Sequence, residues 1–85
     1  MKQKLLIVDD EAHIRMLIEQ TLEDLEDEGV ELLFAENGEQ ALDLIKKEEP
    51  NLVFLDVMMP KMNGMEVCYK VKKELHLSHV YIILL

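Results

Sequence analysis

Short apolar runs alternate along the chain with stretches whose hydrophobic residues recur every three or four positions. Leu5 to Val8 is continuous, β-rich and apolar, the pattern of a strand covered on both faces. Beyond it Ile14, Leu17, Ile18, Leu22 and Leu25 fall at helical spacing with Arg15, Glu19, Glu23, Asp24 and Glu26 between them. This predicts one amphipathic helix ending by Gly29. Val30 to Ala35 reads as a second strand, and Glu36-Asn37-Gly38 as a turn whose Asn37 caps a helix running to about Glu48, with Ala41, Leu42 and Ile45 on its inner face. Pro50 punctuates, and Leu52 to Asp56 predicts a third strand that is apolar until its last residue. Val57 to Gly64 reads as a loop, Val67, Cys68, Val71 and Leu75 mark a third helix, and Val80 to Leu85 predicts a fourth strand.

Strands alternating with helices predict an α/β fold with a parallel sheet and right-handed crossovers. Ligands of such sheets bind at the carboxyl ends of the strands, near the point where strand order reverses. Asp9, Asp10 and Asp56 all stand at strand carboxyl ends. If the first and third strands are neighbours, the three carboxylates meet in one pocket. Two carboxylates about 5 Å apart repel by roughly 3 kcal/mol at an effective dielectric near 20, so three together call for a cation or for partial neutralisation by protons. Hard oxygen ligands with open positions suit Mg²⁺, or Mn²⁺, better than a softer metal. The bland alternative is that Asp9-Asp10 is a turn in which Asp10 caps the first helix, and that Asp56 is a surface acid. Placement at the same end of two separate strands, followed by a loop with Pro60 and Gly64, favours the pocket.

Composition narrows the function classes. Eighty-five residues predict one small domain, and 49% hydrophobic with 32% charged residues fits a globular chain rather than a disordered one. No apolar run approaches the ~18 residues of a membrane span, and Leu5 to Val8 is too short for a signal-peptide core. Cys68 is alone, which argues for a reducing, cytoplasmic setting and for a small core residue on a helix. A formal charge of −9 disfavours direct binding of nucleic acid or anionic membrane by this segment. His13, His76 and His79 lack a convincing set of metal co-ligands and read as solvated or capping residues.

LLIVDDE at the first strand, AENGEQAL at the second turn, PNLVFLDVMMPKMNG around the third strand and VYIILL at the fourth resemble the receiver domains of two-component response regulators. The resemblance spans the whole chain. It implies a flavodoxin-like strand order, 2-1-3-4-5, and Asp56 as an aspartyl phosphoacceptor charged by a histidine kinase or phosphotransfer protein. It further implies a Mg²⁺ site in which Asp10 binds directly, Asp9 mainly through water, and Asp56 and the backbone carbonyl of Met58 supply further oxygens. The Met58 side chain is expected at the pocket mouth, either shielding the phosphoryl group from water or lying plainly on the surface. Met58, Met59, Met62 and Met65 read mainly as core and loop packing. Pro60 stiffens the loop, Gly64 gives freedom or close approach, and Asn63 caps the next helix where the family often has Asp.

A complete receiver continues past its fourth strand with a switch Ser or Thr, a helix, a strand ending in Lys and a last helix, roughly 30 residues or more. Residues 1–85 therefore read as the N-terminal part of such a domain, without the switch hydroxyl and Lys; Ser78 precedes the strand and is not that hydroxyl. VYIILL is then an unpaired apolar edge, open to dimerisation or strand exchange between chains. Two other classes compete with the phosphoacceptor switch. A Mg²⁺-dependent phosphohydrolase of haloacid-dehalogenase type wants a second Asp two residues after the nucleophile, where this chain has Met58. A degenerate receiver-like interaction module would keep the fold without being phosphorylated, and the intact acidic triad argues against it.

Overall fold

The computed structural model describes residues 3–59, 62–76 and 79–85. Pro60 and Ser78 lie outside these residues. Four parallel strands, β1 (Lys4–Val8), β2 (Glu31–Ala35), β3 (Leu52–Leu55) and β4 (Tyr81–Leu84), form one sheet in the order β2-β1-β3-β4. The buried run Leu5 to Val8 occupies a central position, as its continuous apolar character predicts. Pairing is in register: Val8 stands beside Ala35 on one side and Leu55 on the other. The ladder continues one step past the strands, with the Asp9 amide donating to the Ala35 carbonyl at 3.2 Å and the Asp56 amide to the Val8 carbonyl at 3.1 Å. Asp9 and Asp56 thus leave the sheet side by side.

One face of the sheet carries the core. Leu6, Val8, Val53 and Leu55 pack with Ala41, Leu42 and Ile45 of α3 (Gly38–Glu48) and Val67 of α4 (Gly64–Tyr69), while Val71 extends the cluster. The expected inner face of α3 is buried residue for residue. Its N-terminus is capped by Asn37, whose Oδ1 accepts from the Gln40 amide at 2.9 Å, and its end turns through Glu49 in the left-handed region before the buried Pro50. Asn63 caps α4 in the same way, accepting from the Glu66 amide at 3.0 Å. Full-length burial of Cys68 is not reached: the side chain is half-buried.

The opposite face is more thinly covered. The single helix expected up to Gly29 is two, α1 (Ala12–Thr21) and α2 (Glu23–Asp27), broken at Leu22 with φ −98° and ψ 12°. The Thr21 hydroxyl donates back to the Leu17 carbonyl at 2.8 Å, a contact that bends helices, and the acids Glu23, Asp24 and Glu26 gather in the first turn of α2. Neither helix buries a residue fully, and Leu17 remains 59% exposed. Leu17, Ile18, Thr21, Leu22, Phe54 and Leu85 line an open apolar groove of about 320 Å³. The third helix also departs from regularity: after Tyr69 it widens into a π-helical turn over Lys70–Glu74, closed by the Leu75 amide on the Lys70 carbonyl at 2.8 Å. β4 pairs only with β3, and among the described residues no strand covers its outer edge.

Candidate functional site

The carboxyl ends of β1 and β3 carry the candidate site. One carboxylate oxygen each from Asp9, Asp10 and Asp56 lies within 4.8 Å of the other two, the only such acidic or metal-ligating group found among the described residues. Asp9 and Asp56 are half-buried and Asp10 is exposed. In-register pairing of Val8 with Leu55 sets the two loops level, and adjacent parallel strands lie about 4.8 Å apart, so the juxtaposition follows from the sheet itself.

Each central carboxylate is held by a backbone amide two residues on. Asp9 Oδ1 accepts from the Glu11 amide at 2.9 Å, and Asp56 Oδ1 accepts from the Met58 amide at 3.0 Å. One oxygen on each is thereby fixed as in an Asx turn, while the second has no hydrogen-bond partner among the described residues. The capping role weighed for Asp10 does not occur. Glu11 stands at the N-cap of α1, without a side-chain cap bond, and Asp10 is left free of the helix.

Two glycines let the loops close around these acids. A Cβ on Gly64 would lie 2.7 Å from the Asp56 carbonyl oxygen and 2.9 Å from Val57 Cα, so the start of α4 approaches the β3 loop more closely than any other residue allows. Gly38 meets the backbone of Met62 in the same manner, at 2.6 Å from its carbonyl oxygen. Val57 links the loop outward: its amide donates to the Leu85 carbonyl at 3.3 Å, and its carbonyl accepts from the Gly64 amide at 3.2 Å. Of the methionines, Met59 is buried and Met62 packs against the core, but Met58 is 83% exposed and Met65 also faces solvent. Packing therefore accounts for two of the four.

A residue not assigned any role from sequence stands beside the acids. Arg15 donates from one terminal nitrogen to the Asp9 carbonyl at 2.6 Å, while the other lies 3.5 Å from Glu36 Oε2. Its position six residues after Asp9, one turn into a helix that starts beside the pocket, was the available signal. His13 and His79 instead lie beside Glu11 and Glu49, at 3.0 and 2.9 Å, as solvated surface groups.

A family model described as "Response regulator receiver domain" matches residues 5–85. The chain belongs to the response regulator receiver family. Over 84 residues it is 50% identical to the "Probable transcriptional regulator ycf27" of Porphyra purpurea, which covers 99% of this chain and 32% of that protein. The chain thus spans about a third of the length of the curated relatives it matches. Among solved structures, chemotaxis protein CheY4 of Vibrio cholerae superposes with a TM-score of 0.82 at 31% identity, over 99% of this chain and 68% of that one. Response regulator protein TrrA of Thermotoga maritima, solved in complex with Mg(2+)-BeF, gives 0.79 at 40% identity, over 96% of this chain and 67% of that one. The receiver fold accounts for the β2-β1-β3-β4 order, and the flavodoxin-like α/β expectation holds. This is a receiver of the kind used in two-component signalling. No helix among the described residues is long and apolar enough to cross a membrane.

Proposed function

We propose that this receiver takes a phosphoryl group on Asp56 from the phosphohistidine of a histidine kinase or phosphotransfer protein, and so switches an output elsewhere in its protein. The observation that carries the reading is the convergence of Asp9, Asp10 and Asp56 within 4.8 Å at the ends of two neighbouring strands. A carboxylate oxygen of Asp56 attacks phosphorus, the P–N bond of the phosphohistidine breaks, and its electron pair returns to the imidazole nitrogen. The amide of Met58 holds one Asp56 oxygen and leaves the other to act as nucleophile.

The donor set fits Mg²⁺, or Mn²⁺: three carboxylates with exposure on one side supply hard oxygens and leave room for water and a phosphoryl oxygen. Asp10 would bind directly and Asp9 mainly through water, with Asp56 and the Met58 carbonyl completing the protein's share. The cation, when bound, offsets the charge that the carboxylates and phosphoryl oxygens bring together. Residues 1–85 make up the N-terminal part of the receiver unit on this reading. The protein is then a cytoplasmic switch rather than an enzyme turning over a free substrate, and this segment contacts neither nucleic acid nor membrane. Taken as an isolated segment, residues 1–85 leave the outer edge of β4 unpaired, the place where a second copy of that segment would pair.

The test is incubation of the folded full-length protein with acetyl phosphate and Mg²⁺, read by intact mass. A gain of one phosphoryl group that is lost in Asp56→Asn and abolished by EDTA is expected. A folded protein that stays unmodified and binds no beryllofluoride with Mg²⁺ would defeat the proposal. Asp10→Asn is expected chiefly to weaken Mg²⁺, and an unchanged metal affinity in that variant would remove Asp10 from the ligand set.

A further inference from the structure

We infer that Arg15 is a positioning residue for the acidic pocket, aiming the Asp9–Asp10 pair by holding the peptide between them. The inference rests on the proposed Mg²⁺ site. The Arg15 side chain is only 19% exposed, and its fork is divided: one nitrogen takes the Asp9 carbonyl at 2.6 Å and the other faces Glu36 at 3.5 Å. Glu36 is itself anchored, its amide donating to Gln40 Oε1 at 3.0 Å and its Oε1 accepting from Gln40 Nε2 at 3.4 Å. The strap therefore runs from the loop after β1, through α1, to the loop after β2 and the first turn of α3.

What this strap controls follows from covalent geometry. The Asp9 carbonyl belongs to the planar unit that ends at the Asp10 nitrogen and Cα, so fixing its direction fixes ψ of Asp9 and the place from which Asp10 departs. Asp9 has a second restraint, the Glu11 amide on its Oδ1. Asp10 is exposed and its side chain makes no hydrogen bond among the described residues, so its direction depends on the backbone that Arg15 holds.

Charge and position make opposite demands, which renders the inference sharp. Arg15 is a cation beside a cation site, and by Coulomb repulsion alone its removal tightens Mg²⁺ binding. By position, its removal frees the Asp9–Asp10 peptide and weakens binding. A lysine keeps the charge but has no planar fork to reach a carbonyl and a carboxylate together.

Mg²⁺ titration by calorimetry on the wild-type protein, Arg15→Met and Arg15→Lys, with circular dichroism to verify folding, decides between them. Methionine retains much of the apolar stem. Both variants are expected to lose affinity, on the order of tenfold, the scale at which groups orienting metal ligands act. Unchanged or tighter binding in Arg15→Met overturns the inference, as does wild-type affinity in Arg15→Lys, since charge would then suffice. If Arg15→Met does not fold, Arg15→Lys decides alone. A wild-type protein that binds no Mg²⁺ would instead overturn the metal site, and this inference with it.

Discussion

Gly64 and Gly29 are glycines for different physical reasons, and their alanine variants separate those reasons. At Gly64 a methyl group would press on the backbone of Asp56 and Val57, neither of which can swing aside, so Gly64→Ala is expected to cost about 1–3 kcal/mol as an overpacking change. It should also weaken Mg²⁺, because the atom displaced is the carbonyl of Asp56 itself. Gly29 has φ +94° and open space around its missing Cβ, so Gly29→Ala should cost roughly 1–2 kcal/mol through backbone strain alone and leave the metal site untouched. Urea denaturation and Mg²⁺ calorimetry on the two variants check both statements. The three acids were legible in the sequence because Asp9-Asp10 and Asp56 each close an apolar run, and register does the rest. Arg15, Gly38 and the Glu36–Gln40 pair were not, since their partners lie on other segments and no local pattern names them.

Among the elements, the strands and α3 were read well, and the first and third helices less so. The buried stripe of α3 and the caps Asn37 and Asn63 agree with the pattern, since each sequence signal has a local cause. Asn63→Ala is expected to cost about 1 kcal/mol in thermal or urea unfolding, from the loss of the bond to the Glu66 amide. The periodicity from Ile14 to Leu25 promised one helix, but nothing in it reports how shallowly that face is packed, and the Thr21 back-bond with the acidic first turn of α2 breaks it at Leu22. At the far end of the sheet Lys4 Nζ meets Glu48 Oε1 at 2.8 Å and ties β1 to the end of α3. That hydrogen bond holds the Glu48 carboxyl below its usual range and the Lys4 ammonium above its own. The Glu48 contribution is therefore present above the ordinary glutamate range and lost as pH falls through the lowered value; the Lys4 contribution is lost as pH rises through the raised one. Glu48→Gln should accordingly flatten the acid limb of a stability-versus-pH curve, and the effect should be small because both side chains are partly solvated.

Among the described residues the two faces of the sheet are covered unequally, with α3 and α4 sealing one while α1 and α2 leave part of the other bare. Alternation places Tyr81, Ile83 and Leu85 together, all exposed, on the same side as Phe54, beside an outer edge that no strand covers among the described residues. Sedimentation velocity on residues 1–85 alone is expected to reveal concentration-dependent association, opposed by a net charge of −9, and Ile83→Lys should suppress it by placing a charge in the bare patch. A monomer at every concentration would show that the edge is protected by its own twist and charge. The pairing of Val8 with Leu55 also sets how this protein can tolerate change in its gene. A parallel register behaves as a reading frame for side chains: one residue deleted inside β3 moves Asp56 by a strand step of about 3.3 Å and reverses which face every following side chain meets. A point substitution in β3 leaves the register standing, but a single-codon loss there would displace Asp56 from the pocket without removing any of its three acids.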